Sequence, residues 1–143
     1  MDPTHRPMNP TLRNILAVLA GIVVCLLVNG ALIRIGGKVI APPAGVNVKD
    51  MESVRSHIHE FQPKHFLFPF LAHALGSLIG AFVAAKLAAS NAMRLALVVG
   101  GVHLIGGIAA ATMIPAPTWF VVLDLAAAYL PMAWLGGRMG ARR

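Results

Sequence analysis

Two histidines and an aspartate, His73, His103 and Asp124, stand inside long apolar stretches that otherwise hold almost no charge, and Asn29 adds a polar group to the first of them. An ionised Asp in hydrocarbon costs at least about 3 kcal/mol, so Asp124 should be paired, protonated or hydrated, and ionisable residues in membranes default to functional roles. A histidine is its natural partner. One acid with two imidazoles can relay protons, hold a metal or bind a small ligand. The same residues can also do no more than fix helix register through an Asp to His hydrogen bond, with Asn29 joining.

Spacing puts these residues on faces that turn toward neighbouring helices. His73 precedes Gly76 and Gly80 by three and seven residues, and His103 lies three after Gly100 and four before Gly107. On a helix each therefore shares a stripe with small residues. Asp124 shares a face with Ala127, Ala128 and Pro131. Counted from the outer ends at about 1.5 Å per residue, Asn29, His73, His103 and Asp124 all fall roughly 9 to 15 Å below one surface. One residue from each helix is thus expected to converge.

A second set, His57, Glu60 and His65, lies between the first two apolar runs. His57 and Glu60 are three apart and could chelate a metal with His65, whereas His59 points elsewhere and no standard zinc spacing appears. No resident cofactor is expected. The alternatives the residue types allow are a metal at that set, or a haem held by His73 and His103. Cys25 is the single cysteine, inside an apolar run, with no CxxC and no disulfide partner. There is no Gly-rich phosphate loop, no HExxH and no GxSxG, and Ser53, Ser77 and Ser90 lack a convincing base and orienter.

The elements that must position these groups are membrane helices. Of 143 residues 57% are apolar and 12% charged, with a mean hydropathy of +0.74, and 12 Lys and Arg with 5 Asp and Glu cannot cover a soluble domain of this size. The fold expected is all-α: four transmembrane helices over about 12–35, 64–88, 93–114 and 118–138, forming a single domain. Residues 1–10, with three prolines, read as a disordered tail. The first run is kept as a retained helix: it is too long for a cleaved signal peptide, and Ile22, Val23 and Val24 before Cys25 make no lipobox. Pro115 and Pro117 remove two donors and turn the chain between the third and fourth helices.

Residues 36–63 form the one long extramembrane loop. Within it Met51, Val54, Ile58 and Phe61 recur at spacings of three and four behind an Asp50 cap, predicting a short amphipathic helix over about 50–61. Its apolar stripe could lie on lipid headgroups or close over the bundle's mouth, with Glu52, Arg55, Ser56 and His59 toward water. Trp119, Phe120, Phe66, Phe68 and Phe70 are expected to form an aromatic belt on that side.

Basic residues set the expected orientation. Arg6, Arg13, Lys86, Arg94, Arg138, Arg142 and Arg143 fall on the side of the termini, and Arg34, Lys38, Lys49, Arg55 and Lys64 on the other, a bias of seven to five. Both termini are therefore expected in the cytoplasm, in a bacterial inner membrane. The basic residues stand singly, so no nucleic acid is expected. Partners are the bilayer and either further copies of the chain or a larger membrane complex. Helix association would rest on small residues: Gly76, Gly80 and Ala84, then Gly100 and Gly107 with Gly101 and Gly106 beside them, then Gly136 and Gly140. Three functions follow: a carrier or small-ligand and ion-binding bundle, an accessory subunit docking on a larger complex, or an enzyme acting on a lipid or quinone. A role other than an enzyme's is expected.

Overall fold

The computed structural model describes residues 8–141, so the expected disordered tail falls largely outside the described residues, as do Arg6, Arg142 and Arg143 of the charge tally. Helix α1 runs from Pro10 to Val39, opened by Asn9, whose side chain accepts a hydrogen bond from the Thr11 amide at 2.8 Å. Short helix α2 spans Met51–Ser56 behind the Asp50 cap, and single 3-10 turns follow at Ile58–Glu60 and Pro63–Phe66. Helix α3 is Leu67–Leu87 and α4 is Ala92–Met113, joined by a tight turn in which Asn91 takes a left-handed conformation at φ 52°. Asparagine tolerates that region better than most residues. After the Pro115 to Pro117 turn come α5, Thr118–Ala127, and α6, Leu130–Gly140.

Among the described residues, four stretches are long and apolar enough to cross a bilayer: Pro10–Val39, Pro63–Leu87, Ala92–Met113 and Thr118–Gly140. The chain is a four-span, multi-pass membrane-type helical bundle, with lipid-facing side chains such as Leu27 and Ile105 two-thirds exposed. Helix α3 is its centre, packing on α1, α4 and α6. Small residues permit that centrality. A Cβ on Gly80 would stand 2.6 Å from the Cys25 Cβ, one on Gly21 2.7 Å from the Gly80 carbonyl oxygen, and one on Gly136 would collide with the Leu78 carbonyl. Gly101 and Gly106, expected beside the packing stripe, instead face open space with nothing within 4 Å.

The fourth span differs from the uninterrupted helix expected. It breaks at Ala128 and Tyr129, where Tyr129 has φ −110° and ψ −82°. Pro131 supplies the reason, because it has no N–H to donate to the Ala127 carbonyl and its ring crowds that turn.

The two ends of the bundle are built differently. At the end of the termini, Arg13 Nε donates to the Leu87 carbonyl at 2.9 Å, and Asn14 accepts from the Ala89 amide at 2.8 Å while its Nδ2 donates to Ser90 Oγ at 3.0 Å. These contacts latch α1 onto the α3–α4 turn. At the other end the loop folds inward. Met51, Val54, Ile58 and Phe61 line cavities beneath it, whereas Glu52, Arg55, Ser56 and His59 are exposed. The amphipathic segment is thus a lid, shorter than expected because His57 ends its α-helical part. Phe66 and Phe120 are buried there with ring centroids 4.7 Å apart, and Trp119 packs edge-on to Phe66 at 5.8 Å. The aromatic residues expected as a belt therefore include a buried cluster that seats the lid.

Candidate functional site

Polar side chains from every span meet within the bundle, in two sets. In the first, His73 of α3 faces Asp124 of α5. Its Nδ1 donates to both carboxylate oxygens, at 2.8 and 2.9 Å, and the Tyr129 hydroxyl donates to Asp124 Oδ2 at 2.9 Å. A carboxylate in hydrocarbon needs such partners, and Asp124 is 5% exposed. Tyr129 is fully buried, stacked on the His73 ring with centroids 5.4 Å apart. Gly107 makes room for it, since a Cβ there would run into the phenol.

The second set surrounds His103 of α4. Asn29 Nδ2 donates to its Nε2 at 2.9 Å, which leaves the ring proton on Nδ1. That nitrogen lies 2.9 Å from Ser77 Oγ and 3.1 Å from Cys25 Sγ. The two sets touch through their rings: His103 meets Tyr129 at 5.1 Å and His73 at 5.8 Å, both edge-on. The four expected residues thus lie in one layer, resolved into two pairs, His73 with Asp124 and His103 with Asn29.

The sequence reading missed three participants. Ser77 follows His73 by four residues and Cys25 precedes Asn29 by four, so each shares a helix face with a residue already singled out. That signal was available. Tyr129 was hidden, because five residues along a continuous helix is about 140° away from Asp124. Only the break before Pro131 brings its hydroxyl onto the carboxylate.

The two histidines differ in what they leave open. Both nitrogens of His103 are engaged by the protein. His73 Nε2 has no partner among the described residues, yet among those residues every side-chain nitrogen or oxygen cut off from solvent is hydrogen-bonded. The atom is therefore accessible, in line with a His73 side chain 19% exposed against 7% for Asp124. The His73 residue borders a cavity of about 240 Å³ whose wall also includes Asp124, Gly107, Phe66, Phe120 and the lid residue Phe61. Apart from His73, Asp124 and His65, its lining is apolar.

Metal and haem sites do not form from the expected residues. His57, Glu60 and His65 are not brought together, and among the described residues no group of three His, Cys, Asp or Glu side chains could hold a metal ion. His57 and His65 instead close local turns: His57 Nδ1 donates to the Ser53 carbonyl at 2.8 Å, and His65 Nδ1 accepts from the Gln62 amide at 2.8 Å. Glu60 lies 3.8 Å from the exposed His59. A haem between His73 and His103 does not fit, because Asn29 and the Ser77 and Cys25 pair occupy both His103 nitrogens and leave none for iron.

Compared with protein-family models, with curated proteins and with solved structures, the chain finds no match in any of the three.

Proposed function

We propose that the protein is a membrane-embedded binding module or carrier for a small apolar ligand that bears a hydrogen-bond donor, with His73 Nε2 as the acceptor. The observation that carries this is the oriented His73: Asp124 takes the proton-bearing Nδ1, which leaves the lone pair of Nε2 unspent on a residue that lines an apolar cavity. A buried acceptor on a pocket wall discriminates strongly, because a ligand without a donor leaves it unpaired. The same lone pair could take a proton from a bound ligand.

The Lys and Arg bias supports cytoplasmic termini, so ligand would enter from the outer side. The accessory-subunit and enzyme readings draw on no feature as specific as this pocket, and residues 8–141 would act as one domain, since α3 touches every long helix.

The test uses the protein in phosphatidylcholine nanodiscs, a lipid whose head carries no O–H donor. 4-Ethylphenol should bind at least tenfold tighter than 4-ethylanisole, and His73→Ala should abolish that preference. Equal binding of the two probes, or a preference that survives His73→Ala, overturns the proposal.

A further inference from the structure

The ligand class follows from a second histidine on the same cavity. His65 Nδ1 accepts the Gln62 amide proton at 2.8 Å, so a neutral His65 carries its own proton on Nε2. His73 is the opposite tautomer, with Nδ1–H held by Asp124 and Nε2 bare. Both residues line the cavity of about 240 Å³. Its lining residues thus include one histidine with an unspent acceptor nitrogen, on α3 beside Asp124, and one with an unspent donor nitrogen, in the loop before α3.

Adjoining it is a second cavity of about 330 Å³, lined by Ile40, Met51 and Phe68 among others, with Lys49 at its edge. The two share Ile33, Val54, Phe61, His65, Pro69 and Ile114 as a common wall, so side-chain rotation there would join them. The inner cavity alone falls short of the roughly 300 to 1,000 Å³ usual for small-molecule sites, and the joined pair falls within it. A ligand filling both would have a compact polar head and an apolar extension.

Resting on the reading of the inner cavity as a binding site, we propose that the ligand is a chain-bearing hydroquinone. One ring hydroxyl donates to His73 Nε2, the second oxygen accepts from His65 Nε2–H, and the chain lies in the outer cavity under the lid. A carboxylate head fits poorly, since the His73 and Tyr129 donors are already spent on Asp124 and a second anion would sit beside that carboxylate. A flat ring suits the inner wall, where Phe61, Phe66 and Phe120 present aromatic surface.

Gly37 provides a test that leaves both histidines intact. It lines the outer cavity, and a Cβ there meets nothing within 4 Å, so Gly37→Leu should fill that cavity without disturbing the helix. In anaerobic phosphatidylcholine nanodiscs with ascorbate, 2-decylhydroquinone should bind at least tenfold tighter than 2-decyl-1,4-dimethoxybenzene or unsubstituted hydroquinone. Gly37→Leu should weaken it at least tenfold while leaving 4-ethylphenol unchanged, and His65→Phe should lower its affinity to that of 3-decylphenol. If 4-ethylphenol still prefers wild type over His73→Ala but the decyl chain, Gly37→Leu or His65→Phe has no effect, the hydroquinone assignment falls and the binding site stands. If no probe depends on His73, both fall.

Discussion

His73 and His103 sit in one layer with rings 5.8 Å apart, yet one is finished and the other is not. Cys25, Asn29 and Ser77 close every valence of His103 from two neighbouring helices. Those contacts tie α1, α3 and α4 together at one depth. Asp124 and Tyr129 complete only one side of His73, and the other side meets a cavity. Burial alone does not separate the two histidines; the count of unspent ring nitrogens does.

Exchanging the two losses gives the largest expected effect. His103→Ala strands Asn29 and Ser77 and empties a ring-sized volume, so unfolding in mild detergent should become easier by about 2–4 kcal/mol, with probe binding per folded molecule changed less than threefold. His73→Ala should do the reverse, losing the hydroxyl preference at least tenfold with a smaller stability change. Equal stability losses, or loss of binding in both, would erase the contrast between the two sets.

A narrower cut separates them at Gly107. There a Cβ runs into the Tyr129 phenol, so Gly107→Ala should push the ring off Asp124 and loosen His73. The expected result is a probe affinity lowered about threefold to tenfold, on the order of 1 kcal/mol, while the hydrogen bonds around His103 persist. Histidine side-chain nitrogen NMR checks it: the His73 resonances should move and those of His103 hold. Tyr129→Phe removes only the hydroxyl and should cost about 0.5–1.5 kcal/mol of stability.

Much of this was legible in the sequence because the bilayer simplifies the code. Apolar length fixed the four spans, Pro115 and Pro117 fixed the turn between the third and fourth, and small-residue spacing gave the faces on which His73 and His103 lie. What could not be read depended on backbone departures and on partner identity. Tyr129 reaches Asp124 only because Pro131 interrupts the helix, and the lid's choice between headgroups and the bundle mouth depended on cavities no local pattern encodes. The surroundings of His57, Glu60 and His65 were hidden for a related reason, since each histidine satisfies a nearby turn and Glu60 lies beside the exposed His59. Cys25, a lone cysteine, has no partner that spacing could reveal; its partner is an imidazole 78 residues away.

The smallest expected effect probes where the inward faces end. Gly100 and Gly107 touch α6 and Tyr129, while Gly106, adjacent to Gly107 in sequence, faces open space. If the layer of His73 and His103 is organised by those two glycines alone, Gly106→Ala should leave probe binding unchanged and shift stability by less than about 1 kcal/mol, the difference in helix propensity between the two residues. Measured beside Gly107→Ala, it compares an added methyl group on lipid with the same group against Tyr129. A Gly106→Ala variant as impaired as Gly107→Ala would mean that α4 presents both faces to protein, which would bring a partner chain to the lipid side.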